Sequence, residues 1–322
     1  MCADDLTRCS EQWRGSSHPT VGSAPVASFW VAVEQPGAWG RKALIQSGLD
    51  PELGIRLGMA ADAGGGRAVL VRRPDAAAAE RSDTRTVFLA GNFLRSPWLG
   101  RRDVAESELP GLLEEVIGYL PDLAEATRPP DGFRPAPPVL LVCTNGKRDR
   151  CCAIESRPLA AVAAREVGAA RVWESSHLNG HRFAPTGIVL PTGQMFGWMT
   201  ESLAVDALNE AASGRLLLAG ERHERGRVAL PPGLQAVDVT LRTALGETDP
   251  TALSFEGDAG GDAVDWVGRE AEVWAAHRDG RRWQFTVTAR ESVPLPESCG
   301  KHPVAVADWE AVNATGEPWL PR

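Results

Sequence analysis

The sequence predicts an α/β protein made of two successive units and a smaller accessory region. Three observations point there. Apolar runs of strand length alternate with stretches of helical period, and a proline-rich break interrupts the chain at 128–138. The composition, 43% hydrophobic and 24% charged, is that of a folded globular chain. At 322 residues there is room for two domains with real cores.

Residues 1–23 are polar, with Ser and Gly scattered through them and no periodicity, and read as a flexible N-terminal arm. The first unit, 24–134, opens with Phe29-Trp30-Val31-Ala32-Val33, a buried-strand run stopped by the turn signal Pro36-Gly37, with a helix expected after it. Ala68-Val69-Leu70-Val71 and Thr86-Val87-Phe88-Leu89-Ala90 supply two more strands. Leu112, Leu113, Val116, Ile117 and Leu120 then recur at helical spacing behind Glu108. The segment from Arg128 to Pro138 ends the unit, because prolines lack the amide hydrogen that a helix interior or central strand requires.

The second unit, 135–225, begins with the strand Val139-Leu140-Leu141-Val142, which delivers Cys143 at its C-terminal end. A polar loop, Thr144 to Arg150, leads to Cys151-Cys152. Pro158 suits the first turn of a helix that carries Leu159, Val162, Ala163 and Val167 inward and ends near Gly168. Arg171-Val172-Trp173 and Gly187-Ile188-Val189-Leu190 are strands, and a hairpin turn at Pro191-Thr192-Gly193 leads to a partner strand through Met195 to Trp198. Thr200 caps a closing helix with Leu203, Ala207, Leu208 and Ala211 inward, and Gly214 ends it. The order βαβ then ββα is that of the thioredoxin-like fold, and the first unit reads as a degenerate copy of it. In the accessory region, 226–322, a helix is expected around Leu234 to Leu245. A hairpin turning at Asp279-Gly280 leads into a strand where Trp283, Phe285, Val287 and Ala289 alternate with polar residues.

Charge and composition exclude several function classes. Thirty-four basic against 42 acidic residues give a net charge of -8, the wrong field for nucleic-acid phosphates. No apolar run approaches the length of a membrane helix and the start lacks a leader pattern, so a cytoplasmic protein without membrane partners is expected. Six cysteines are too few for a disulfide scaffold. Cys2, Cys9 and Cys299 read as ordinary free thiols.

The chemistry concentrates in four residues on two loops: Cys143 and Cys152, then His177 and His181. Both loops leave strand ends on one side of the second unit, so two thiols and two imidazoles converge as metal ligands. Two other assignments compete. A structural zinc would take the same four donors, although an eight-residue spacer between cysteines is long for a zinc knuckle. A cluster-free thiol oxidoreductase would use Cys143 and Cys152, activated by Arg148 and Arg150, and would leave the histidines unexplained.

The run from Cys143-Thr144-Asn145-Gly146-Lys147-Arg148-Asp149-Arg150-Cys151-Cys152 and the run Trp173-Glu174-Ser175-Ser176-His177-Leu178-Asn179-Gly180-His181-Arg182-Phe183 resemble the sucrase/ferredoxin-like family of thioredoxin-like ferredoxins. The likeness extends to Val33-Glu34-Gln35-Pro36-Gly37, Arg225-Gly226-Arg227 and Ser298-Cys299. It implies a 2Fe-2S cluster on Cys143, Cys152, His177 and His181, with the family pattern selecting Cys152 where spacing alone leaves Cys151 open. It also implies a mid-potential electron carrier serving a redox partner protein, with a potential that falls as pH rises. Sucrase activity is not expected, since no carboxylate pair suited to glycoside hydrolysis stands out. Asn145 and Asn179 depart from the family pattern at positions that are not ligands, so hydrogen bonding around the sulfurs is where this chain is expected to differ. Arg148, Asp149, Arg150 and Arg182 are candidates for supporting the cluster or docking a partner.

Overall fold

The computed structural model describes residues 8–74, 82–260 and 266–314. Two six-element blocks repeat one order. The first is β1 (Phe29–Glu34), α2 (Pro51–Ala63), β2 (Arg67–Arg72), β3 (Thr84–Gly91), β4 (Trp98–Ala105) and α3 (Leu109–Leu123). The second is β6 (Val139–Cys143), α4 (Arg150–Val167), β7 (Val172–Ser175), β8 (Gly187–Leu190), β9 (Gln194–Phe196) and α5 (Glu201–Ala212). With the short edge strands β5 (Arg134–Pro135) and β10 (Glu224–Arg227), they form one ten-stranded sheet in the order β10-β9-β8-β6-β7-β2-β1-β3-β4-β5.

The pairing repeats as well. β1 runs parallel to β2 and antiparallel to β3, as β6 runs parallel to β7 and antiparallel to β8. The blocks meet at an antiparallel seam, where Val71 faces Ser175 and Arg72 faces Glu174. The mixed α/β architecture and the repeated βαβββα order agree with the thioredoxin-like reading of the sequence.

Burial on both faces explains why β1 reads as an unbroken apolar run. Phe29, Val31 and Val33 pack with Leu53, Leu57, Leu113 and Val116 under α2 and α3. Trp30 and Ala32 point the other way, into a core shared with Phe88, Leu141 and Trp173 that spans the seam. Asp50 caps α2 by accepting the Leu53 amide at 2.9 Å, and Pro51 follows at the first helical position.

Two expectations need correction, and two strands carry no signal in the sequence reading. Residues 9–23 are packed: α1 (Cys9–Arg14) buries Cys9, Ser10 and Trp13, and the Trp13 indole donates to the Pro296 carbonyl at 2.9 Å. Helix α4 starts eight residues before Pro158, because Asp149 caps it by accepting the Cys151 amide at 2.9 Å, and the proline is accommodated inside. β4 is a strand with a charged second half, Arg101-Arg102-Asp103, which sequence reading passes over. β10 consists of Glu-Arg-Gly-Arg and is buried throughout.

The accessory region packs α6 (Pro232–Leu245) on a four-stranded antiparallel sheet, β11 (Leu253–Glu256), β12 (Glu270–His277), β13 (Arg282–Glu291) and β14 (Ala307–Asn313). Leu234, Val237 and Leu241 meet Val273, Phe285, Val287 and Trp309 between the two layers. The expected turn at Asp279-Gly280 joins β12 to β13, with Gly280 at φ 97°.

Candidate metal centre

Parallel strands β6 and β7 end level with each other, Cys143 opposite Ser175, so the loops that follow them leave on one side of the sheet. Ligand sites form at such carboxyl edges because neighbouring loops converge there. Cys143 is pinned by its own backbone, its N–H donating to the Thr186 carbonyl at 3.0 Å. The next residue continues the lock: the Thr144 hydroxyl donates to Glu174 at 2.9 Å.

The loop then folds around Asn145. Its carbonyl accepts the amides of Arg148 and Asp149, and its side chain donates to the Gly40 carbonyl at 3.0 Å and accepts the Lys147 amide at 3.1 Å. Asn145 therefore shapes the loop. From there the chain enters α4, whose consecutive residues lie about 100° apart around the helix. Cys152 turns to Cys143, Sγ to Sγ 3.6 Å, and both are buried free thiols. Cys151 turns the other way, to Cys9 and Cys299.

The histidine loop is built on left-handed backbone. Asn179 and Gly180 have φ of 60° and 74°, and a Cβ on Gly180 would come within 2.7 Å of the Arg225 guanidinium. Glycine is required there on both counts. Arg225, fully buried, holds the loop from behind, donating to the Asn179 carbonyl and the Thr186 hydroxyl, both at 3.0 Å. Burial drops its pKa to about 9, still charged at neutral pH. The sequence offered Arg225 only as part of a family resemblance. Its role in seating the loop becomes visible once β10 is placed under it.

His177 and His181 stack, ring centroids 5.2 Å apart and planes at 25°. The Nδ1 atom of each ring is buried and has no hydrogen-bond partner. Burial, then the neighbouring His177, lowers the His181 pKa to about 4, so its ring is neutral at physiological pH and offers a lone pair. Hydrogen bonding with Cys152 pulls the Cys143 thiol well below its ordinary pKa against the cost of burial, and His177 and the Leu178 amide act in the same direction. Cys152 is pushed up correspondingly by that bond to Cys143 and by burial. Cys143 thus lies against Cys152 and hydrogen-bonds His177, whose ring stacks on His181, which brings together sulfur and imidazole donors of the types that thiophilic metals and iron–sulfur groups take.

The expected supporting residues divide. Arg148 lines a cavity of about 500 Å³ that reaches His177 and also takes in Arg41, Lys42 and Arg67, with Asp62 opposing. Arg150 hydrogen-bonds Cys299. The Arg182 side chain is 16% exposed, pairs with Glu297 and lies over the Trp13 and Phe183 rings at 4.9 and 4.6 Å. Asp149 caps α4 and accepts from Ser298 and the Cys299 amide at 2.7 and 2.8 Å.

A second buried group was not foreseen. Cys9, Asp149, Cys151 and Cys299 bring one ligand atom each to within 4.8 Å of one another, a group that could hold a metal. The pieces come from three distant stretches of chain, so no local spacing marks them; the vicinal Cys151-Cys152 was the available signal.

A family model described as sucrase/ferredoxin-like matches residues 20–218, well over half of the chain. No curated protein and no solved structure matches it.

Proposed function

The chain belongs to the sucrase/ferredoxin-like family, and from that premise we propose that it is an electron-transfer protein whose 2Fe-2S cluster is held by Cys143, Cys152, His177 and His181. One observation carries the reading: Cys143, 3.6 Å from Cys152, hydrogen-bonds His177, whose ring stacks on His181, and the Nδ1 atoms of both rings are buried and unpartnered. Unmet polar nitrogens of this kind are costly unless something binds them. A thiol oxidoreductase without metal would leave both nitrogens unmet.

When bound, the cluster supplies reversible uptake of a single electron. The residues set the terms of that uptake. Two neutral imidazoles in place of thiolates make the ligand set two charges less negative, which raises the potential above that of an all-cysteine site. Arg148 and the buried Arg225 add positive charge nearby and favour the reduced state further. A metal-bound imidazole can exchange a proton in step with the electron, so the proposed function includes a potential that falls as pH rises. The cationic cavity beside His177, with Arg41, Lys42, Arg67 and Arg148, suits docking of an acidic redox partner.

The test is an iron and acid-labile sulfide determination on anaerobically purified full-length chain. Two irons and two sulfides per chain are expected. Zinc bound to these four residues, or no metal at all in protein made with ample iron, would overturn the reading.

A further inference from the structure

We propose that Cys9, Asp149, Cys151 and Cys299 form a second, mononuclear metal site that takes zinc and fastens both end segments of the chain over the start of α4. The donors come from α1, from the cap and first turn of α4, and from the loop before β14. Cys9, Asp149 and Cys151 are buried, and Cys299 is half-buried.

The distances specify the kind of centre. The Sγ atoms of Cys9, Cys151 and Cys299 form a triangle with edges of 3.6, 3.3 and 3.7 Å, and both carboxylate oxygens of Asp149 lie 3.9 Å from the Cys9 sulfur. A tetrahedral ion with bonds of about 2.3 Å to sulfur and about 2.1 Å to oxygen has edges of roughly 3.8 Å between sulfurs and roughly 3.6 Å from sulfur to oxygen. The three sulfur–sulfur edges and the edge from Cys9 to Asp149 lie within about 0.5 Å of those of a single tetrahedral ion, and all four ligand atoms lie within 4.8 Å of one another. A multi-iron cluster needs its outer ligands spread wider to enclose bridging sulfides, and a disulfide needs sulfurs about 2.05 Å apart and leaves one of three thiols over. Three thiolates and one carboxylate, with no open coordination position, suit zinc in a structural role.

The surroundings fit a formal charge of four minus on the donors. Arg150 hydrogen-bonds Cys299, and Arg8 lies close enough to Cys151 to interact with it electrostatically. Asp149 is held rigidly by the Cys151 amide, the Cys299 amide and the Ser298 hydroxyl, the kind of outer support that orients a metal-binding carboxylate. Asp149 and Cys151 lie within the stretch 20–218 matched by the family model and Cys9 and Cys299 outside it, so the site joins the end segments to the matched region. It shares no donor with the Cys143 centre and stands or falls separately.

The experiment combines metal analysis with zinc-edge X-ray absorption on full-length protein purified without chelators from medium replete in zinc and iron. One zinc per chain is expected, with three sulfurs at about 2.3 Å and one oxygen. Cys9→Ser and Cys299→Ser should each weaken zinc retention roughly tenfold or more against a competing chelator while iron and sulfide contents stay unchanged. The wild-type absorption spectrum decides the matter if those variants do not fold. Zinc absent from the wild type, zinc with two sulfurs and two nitrogens that persists in Cys299→Ser, or a Cys151–Cys299 disulfide in protein kept under reductant would each overturn the assignment.

Discussion

Adjacent cysteines on one helix serve different neighbours: Cys152 faces Cys143 across 3.6 Å and Cys151 faces Cys299 across 3.3 Å. Cys152→Ser is therefore expected to abolish iron binding, whereas Cys151→Ser should keep iron and lose the proposed zinc; metal analysis of the two variants side by side checks it. A different residue sets a pH dependence of folding. Glu224 is fully buried, and burial raises its pKa from 4.5 to about 7, with Gln194 donating to one oxygen at 2.6 Å and the other oxygen unpartnered. The folded chain keeps a proton there that the unfolded chain has released, so this contribution is fullest below pH 4.5 and is lost as pH rises through 7. The loss from pH 5 to pH 8 is on the order of 2–3 kcal/mol. Denaturant melts at the two pH values should show it, and Glu224→Gln should flatten the difference.

At the scale of elements, α1 is a short helix of six residues whose hold comes from what it touches. Trp13 is 1% exposed, packs edge-on against Phe183 and donates to Pro296, so it joins the N-terminal segment to the histidine loop and to the stretch before β14. Trp13→Ala is expected to cost about 3–5 kcal/mol in unfolding free energy, read by chemical denaturation. Elements with a strong apolar signature were legible in the sequence: β1, β6, β8, α3 and α5 all carry it, and the two loops that bring Cys143 and His177 together follow from their order. β10 was not legible, because Glu224, Arg225 and Arg227 are charged and their burial depends on partners elsewhere. Arg227 is matched by Asp238 of α6 at 2.8 and 3.0 Å, a pairing that only the tertiary structure reveals. α1 was missed for a similar reason, since one tryptophan and one cysteine in a polar stretch give no periodic signal.

The whole molecule repeats one βαβββα block across an antiparallel seam, yet only the second block carries the paired cysteines and histidines. In the first block β1 ends at Glu34, which accepts the Thr86 amide at 2.9 Å and pairs with Arg73 at 3.3 Å, a structural use of the position that Cys143 holds in the second. No helix among the described residues is long and apolar enough to cross a membrane. The net charge is -8, but the cavity that reaches His177 is cationic, so the surface there opposes the sign of the molecule. Arg41→Glu and Arg148→Glu should slow electron exchange with an acidic partner by roughly tenfold or more at low salt and much less at high salt, with iron content unchanged. Stopped-flow oxidation across a salt series measures it.

The proposed bis-cysteine, bis-histidine centre is tested most directly by pulsed EPR of the reduced full-length protein, which would detect nitrogen bound to a paramagnetic iron pair. Two strongly coupled nitrogens are expected in the wild type, one in His177→Cys and one in His181→Cys, with a lower reduction potential in each variant. A reduced protein with no nitrogen coupling, or one whose coupling and potential are unchanged by both substitutions, would contradict the account.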